Sequence, residues 1–287
     1  MKRKGFTLVE LLVVIAVIAL LMAILMPVLR RAQDQAMRIL CGNREKNLLL
    51  AFTMYADTHN NQLPRSGGYW PWDVPMNTRN QLLRCMGVDV DSFSYNDASE
   101  NPGDMTFSVP TGYGGGSSGG VPIQYSDNFY CPANKATTRY RSTYWNYSSY
   151  IVAGFGVLWD CGWNGNGKNP VWAAMSMAEY GVVQDPTKRW VDRMDMPQSS
   201  ERELVIDVVQ CSFNTAATGG DNAKYPYGNF IKIVEGGIGI DGTNHFNTDS
   251  KASGGNMGFV DGHVEWRSWS EMKMRWRATT TGPYWWW

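Results

Sequence analysis

Histidine is scarce in this 287-residue chain: His59, His245 and His263 lie far apart, and no G-x-S-x-G or H-E-x-x-H stretch accompanies them. An enzyme needs a nucleophile or an acid–base pair held together, so on these absences the chain reads as a non-enzyme. No C-x-x-C pair occurs among Cys41, Cys85, Cys131, Cys161 and Cys211, which argues against a zinc site. In an oxidising compartment five cysteines allow one or two disulfides and leave at least one thiol over. Net charge is lacking too. With 26 basic and 26 acidic residues and no basic stripe, nucleic acid is not an expected partner. The glycine-rich stretch 111–120, TGYGGGSSGG, has no Lys-Ser/Thr behind it and reads as a loop, not a phosphate cradle.

Charge is scarcest at the start. Phe6 to Met26 holds one ionisable side chain, Glu10, in a run long enough to cross a hydrocarbon core as a helix. Lys2, Arg3 and Lys4 precede it and favour a cytoplasmic N-terminus. A secretory signal would have a shorter apolar core and a small-residue cleavage site. A plain membrane anchor accounts for the length but not for Glu10, since an acid at the bilayer centre costs roughly 2.5–3.5 kcal/mol.

The residues K-G-F-T-L-V-E at 4–10 resemble the processing site of type IV prepilins and of type II secretion pseudopilins. The resemblance implies cleavage after Gly5 by a prepilin peptidase and N-methylation of Phe6. It also implies that Glu10 pairs with the Phe6 amine of a neighbouring subunit during assembly, in a low-dielectric setting where opposite charges neutralise each other. Pro27 stands where this family often carries a helix-kinking proline, and its missing N–H removes one helical hydrogen bond.

Beyond Pro27, Leu29, Ala32, Ala36, Leu40, Leu50 and Met54 recur at helical spacing. The helix is predicted to run on to about Asp57, weakened at Gly42 and stopped by Asn60-Asn61 and Pro64. The helix with its cysteine, ending Y-A-D-T-H-N-N-Q-L-P, is similar to planctomycete-type pseudopilin-like proteins. A Cys-Pro ahead of a Ser-Tyr strand recurs in the same group, and this resemblance makes Cys41 and Cys131 the disulfide candidates. The leader is placed at 1–5, the helix at 6–60 with 6–26 transmembrane, and the head at 61–287.

Within the head, ELVIDVV at 203–209 reads as a core strand. In GNMGFVDGHVEW, Asp261-Gly262 is the favoured two-residue hairpin turn, giving a hairpin over 256–266. That register puts Met257, Phe259, Val264 and Trp266 on one face, packed against the long helix. The stretch also resembles the H-X9-DG element that ends those pseudopilin-like proteins, although 15 residues separate His245 from Asp261. Residues 89–100 fail as an EF-hand at Phe93 and Ser94, leaving Asp89, Asp91, Asp97 and Asp104 as candidates for a looser calcium site. No other cofactor is expected. Thirteen tryptophans raise a glycan- or partner-binding surface, with Trp70, Trp72, Trp285, Trp286 and Trp287 as its candidates.

These readings converge on an α+β, pilin-like fold: a long N-terminal transmembrane helix as a spine, packed on an antiparallel β-sheet head with long loops. The expected role is a subunit of a type II secretion or type IV pilus-like filament, in the bacterial inner membrane with the head periplasmic or at the cell surface. Its expected partners are prepilin peptidase and other pilin or pseudopilin subunits. The alternative is a membrane-anchored surface protein with a Trp-rich binding head.

Overall fold

The computed structural model describes residues 8–64, 72–92, 121–134, 145, 150–158, 191–211, 233–235, 238–240, 243–245, 252–272, 274–277 and 284–286. One helix, α1 (Leu8–Thr58), dominates them. Its 51 residues span roughly 76 Å at 1.5 Å per residue. Pro27 lies inside it. The helix ends where Asn60 and Asn61 take left-handed backbone angles (φ 55° and 60°), and Asn61 N–H donates to the Ala56 carbonyl at 2.9 Å. Asparagine tolerates this conformation better than most residues, which is why the Asn-Asn pair stops the helix.

The head follows as β1 (Asp73–Pro75), α2 (Met76–Cys85), β2 (Tyr150–Val152), β3 (Phe155–Val157), β4 (Glu203–Asp207) and β5 (Gln210–Cys211). It continues with β6 (Ile233–Glu235), β7 (Ile238–Ile240), β8 (Gly254–Phe259), β9 (Val264–Ser268), β10 (Met274–Arg277) and β11 (Tyr284–Trp286). The central sheet is antiparallel, in the order β3-β4-β8-β9. β1 pairs with β2, β6 with β7, and β11 lies between β10 and β5. A long apolar helix against an antiparallel four-stranded sheet is the α+β, pilin-like architecture.

The face of α1 that meets the head is not the one its apolar pattern predicts. Cys41, Glu45, Leu48, Leu49, Phe52 and Ala56 are buried, whereas Leu29, Leu40, Leu50 and Met54 are exposed. The reason is the sheet's own surface. β8 presents Gly258 and Asn256 to the helix, and a Cβ added at Gly258 would lie 2.7 Å from Leu49 Cδ1. Gly42, a weak residue for a helix interior, serves the same close approach. A Cβ there would come within 3.3 Å of the Asn256 carboxamide oxygen and 3.5 Å of Val264.

The C-terminal hairpin forms, and its register is one residue from expectation. Gly258 pairs with Val264, Met257 with Glu265 and Asn256 with Trp266. Only Gly262 of the turn has a positive φ, 90°, so Asp261 does not adopt the left-handed angle that a two-residue turn demands. Phe259 N–H donates instead to the His263 carbonyl, and Gly262 N–H to the Phe259 carbonyl, giving a three-residue loop. Asp261 accepts from the His263 backbone N–H at 3.1 Å and pairs with its ring. The slip moves Met257 and Phe259 off the helix-facing side, while Gly258, Asn256, Val264 and Trp266 share it. Trp266 lies under the Arg38 guanidinium, 4.2 Å from its centroid.

The core lies between α1, α2 and the central sheet. Leu48, Leu49 and Phe52 pack with Val205, Leu82 and Phe129 in one apolar cluster. Trp145 is fully buried beside Phe129 and Tyr130 and donates its indole N–H to the Val121 carbonyl at 2.7 Å. Trp72 is also in the core at 4% exposure, so it is no surface stacking platform.

Candidate functional site

Two regions hold the chain's distinctive chemistry. The first is the N-terminal half of α1. Glu10 stands in its first turn, and no residue from Leu8 to Met37 is buried. By length and composition the helix can cross a membrane. Gly5 and Phe6 lie outside the described residues.

The second region is a buried polar centre where α1 crosses the sheet. Asp207 ends β4 with no exposed surface. Its Oδ1 accepts from Asn244 Nδ2 at 2.7 Å. Its Oδ2 accepts from the Asn256 backbone N–H at 2.8 Å and from Asn256 Nδ2 at 2.9 Å, and lies 3.1 Å from His245 Nε2. Burial alone would push the Asp207 carboxyl up, yet the His245 imidazole and the amide donors hold it below the usual carboxylate range. The donors are themselves anchored: Asn244 also donates to the Gly154 carbonyl, and Asn256 to the Arg38 carbonyl of α1. The network thus ties the helix to β4 and β8 by polar groups as well as apolar ones.

Against this centre sits a disulfide. Cys41 of α1 is bonded to Cys131, with an S–S distance of 2.08 Å and both residues fully buried. The Cys131 sulfur is 3.5 Å from His245 Nε2. His245 is 5% exposed and meets Trp266 edge-on. So His245 and Asp261 do not converge: the first belongs to the buried centre, the second to the exposed hairpin turn.

Sequence reasoning missed Asp207, Asn244, Asn256 and Glu45. For Asp207 a signal existed, an acid inside the apolar run ELVIDVV. Glu45 is fully buried one helical turn after Cys41, and neither carboxyl oxygen has a hydrogen-bond partner. Burial, and then the charge of Asp207, push its carboxyl well above the ordinary 4.5. The folded state therefore keeps this proton where the unfolded chain loses it. Stability from Glu45 is full below about pH 4.5 and falls as pH rises towards the folded-state value. Asp207 has the opposite sign, its contribution being lost only as pH falls below the ordinary 3.8. The urea midpoint is thus expected to rise as pH is lowered from about 8 to about 5. Glu45→Leu should flatten that slope and stabilise the chain at pH 8 by about 1–3 kcal/mol, the cost of an unsatisfied buried polar group.

The remaining candidates are dispersed. Asp89 and Asp91 are exposed, and Asp91 accepts a hydrogen bond from Arg84 that lowers its carboxyl. Asp97, Asp104, Trp70 and Trp287 lie outside the described residues, and Trp285 and Trp286 are described only as backbone of β11.

No curated protein and no solved structure matches this chain. Its first 26 residues do match a family model, described as the prokaryotic N-terminal methylation motif. The matched segment contains Gly5, Phe6, Glu10 and the apolar start of α1 up to Met26. That match, with the exposed apolar helix it overlaps, supports a prepilin-type N-terminus.

Proposed function

We propose that this protein is a structural subunit of a type II secretion or type IV pilus-like filament. Prepilin peptidase cleaves it after Gly5, Phe6 is N-methylated, and α1 carries it into the assembly. The observation that supports the reading most is the methylation motif at residues 1–26, whose apolar part belongs to a helix that the head leaves uncovered from Leu8 to Met37. Before assembly this segment rests in the inner membrane with Lys2, Arg3 and Lys4 on the cytoplasmic side and the head in the periplasm. Lateral contact with other subunits then replaces lipid around the helix. Glu10 sits about one helical turn from the new Phe6 amine, and the intersubunit charge pair fixes register. The function is assembly, not turnover.

The test is the mass of the N-terminal peptide from protein purified out of native membranes. The expected peptide begins at Phe6 and is heavier by one methyl group. A peptide still beginning at Met1 would overturn the reading and favour a plain anchor with a binding head.

A further inference from the structure

We propose that the Cys41–Cys131 disulfide closes a latent metal centre, and that its reduced form binds a divalent zinc-type cation. This goes beyond the filament role and does not depend on it. The cysteine spacing argued against zinc, but the fold assembles donors from four distant places in the chain. Cys41, Cys131, Asp207 and His245 each offer one ligand atom, and the four atoms lie within 4.8 Å of one another with all four residues buried. Two thiolates, an imidazole and a carboxylate form a donor set that suits zinc, whose bonds of about 2.0–2.3 Å place tetrahedral ligands roughly 3.3–3.8 Å apart.

Two further observations point to a cation. Asp207 and His245 come with a ready-made outer layer: Asn244 and Asn256 fix the carboxylate, as outer hydrogen bonds do around bound metals. Glu45 is the other. Its carboxyl group is fully buried, lacks a hydrogen-bond partner, stands one turn from Cys41 and is close enough to Asp207 to feel its charge. A buried polar group without a partner is costly on its own, and a ligand at this centre would give it one.

The chemistry balances with a dithiol as reductant. One thiolate of the dithiol attacks Cys131 Sγ and the Cys41–Cys131 bond breaks. The second thiolate then resolves the mixed disulfide. The dithiol is oxidised by two electrons and the protein gains two thiols. Metal binding releases both thiol protons to solvent, with His245 binding as neutral imidazole. Disulfide and metal are therefore exclusive occupants of one place, and either one joins α1 to the head.

The test uses the full chain in detergent with Cys85, Cys161 and Cys211 changed to serine. It is reduced with dithiothreitol, freed of reductant without air, and titrated with Co2+. One ion per chain is expected, with the intense sulfur-to-cobalt absorption of a thiolate site, absent before reduction and displaced by Zn2+. His245→Ala and Asp207→Asn should each weaken Co2+ by more than the roughly 10–100-fold that loss of an outer partner costs. A reduced chain that is folded but colourless overturns the proposal. So does one that unfolds and is not restored by Co2+, or a cobalt spectrum and affinity that both variants leave unchanged.

Discussion

Asp207→Ala is expected to destabilise the head by about 3–5 kcal/mol, because it removes the shared acceptor of a buried hydrogen-bond network. The carboxylate collects four contacts, from Asn244, from the backbone and side chain of Asn256, and from His245. With it gone, a backbone N–H of β8 and an imidazole are left buried without their acceptor, and each such group costs about 1–3 kcal/mol. The loss should appear as a lower urea midpoint with unchanged slope. A double-mutant cycle with His245→Ala should return a coupling of about 1–3 kcal/mol, because the two residues share one network. Independent, additive losses would show that His245 merely fills space beside Asp207.

Replacing both Cys41 and Cys131 by alanine is the second large effect. The bond closes a loop with a sequence separation of 90 residues. Loop-closure entropy for that length gives about 4–5 kcal/mol. The loss should be read by urea unfolding of the oxidised protein against the double variant. A second signature separates the cross-link from packing: dithiothreitol should lower the midpoint of the parent chain and leave that of the double variant in place. A shift well under 2 kcal/mol would mean that the unfolded chain holds α1 near residue 131 without the bond.

Both effects arise where the sequence was only partly legible. The helix was readable from its apolar run and from Asn60-Asn61, because length and left-handed stop residues are local properties. Its docking face was not. Leu29, Leu40, Leu50 and Met54 form the evident apolar row and stay exposed, while the buried row includes Cys41 and Glu45. Hydrophobic spacing does not reveal a face that docks partly through a disulfide and lies against glycines. The hairpin 256–266 was visible from its Asp-Gly, but its register hinged on one backbone angle at Asp261, which the sequence does not report. Of the expected core strand ELVIDVV, ELVID forms β4 and the strand stops at Asp207. That its acid anchors Asn244, Asn256 and His245 depends on residues at least 37 positions away, and no local pattern carries that information.

Cys41 is the first fully buried residue met along α1 from its N-terminus. This fixes how the molecule carries mechanical load. Tension drawn through the exposed N-terminal half of the helix meets the head first at the Arg38 contacts with Asn256 and Trp266, and one turn later crosses at Cys41, through a covalent bond, to Cys131. The helix beyond is shielded from peeling, in which contacts at Leu48, Phe52 and Ala56 would otherwise yield one after another. Stalk and head then share a pull as one solid piece, and reduction of a single bond would turn that rigid coupling into a zipper.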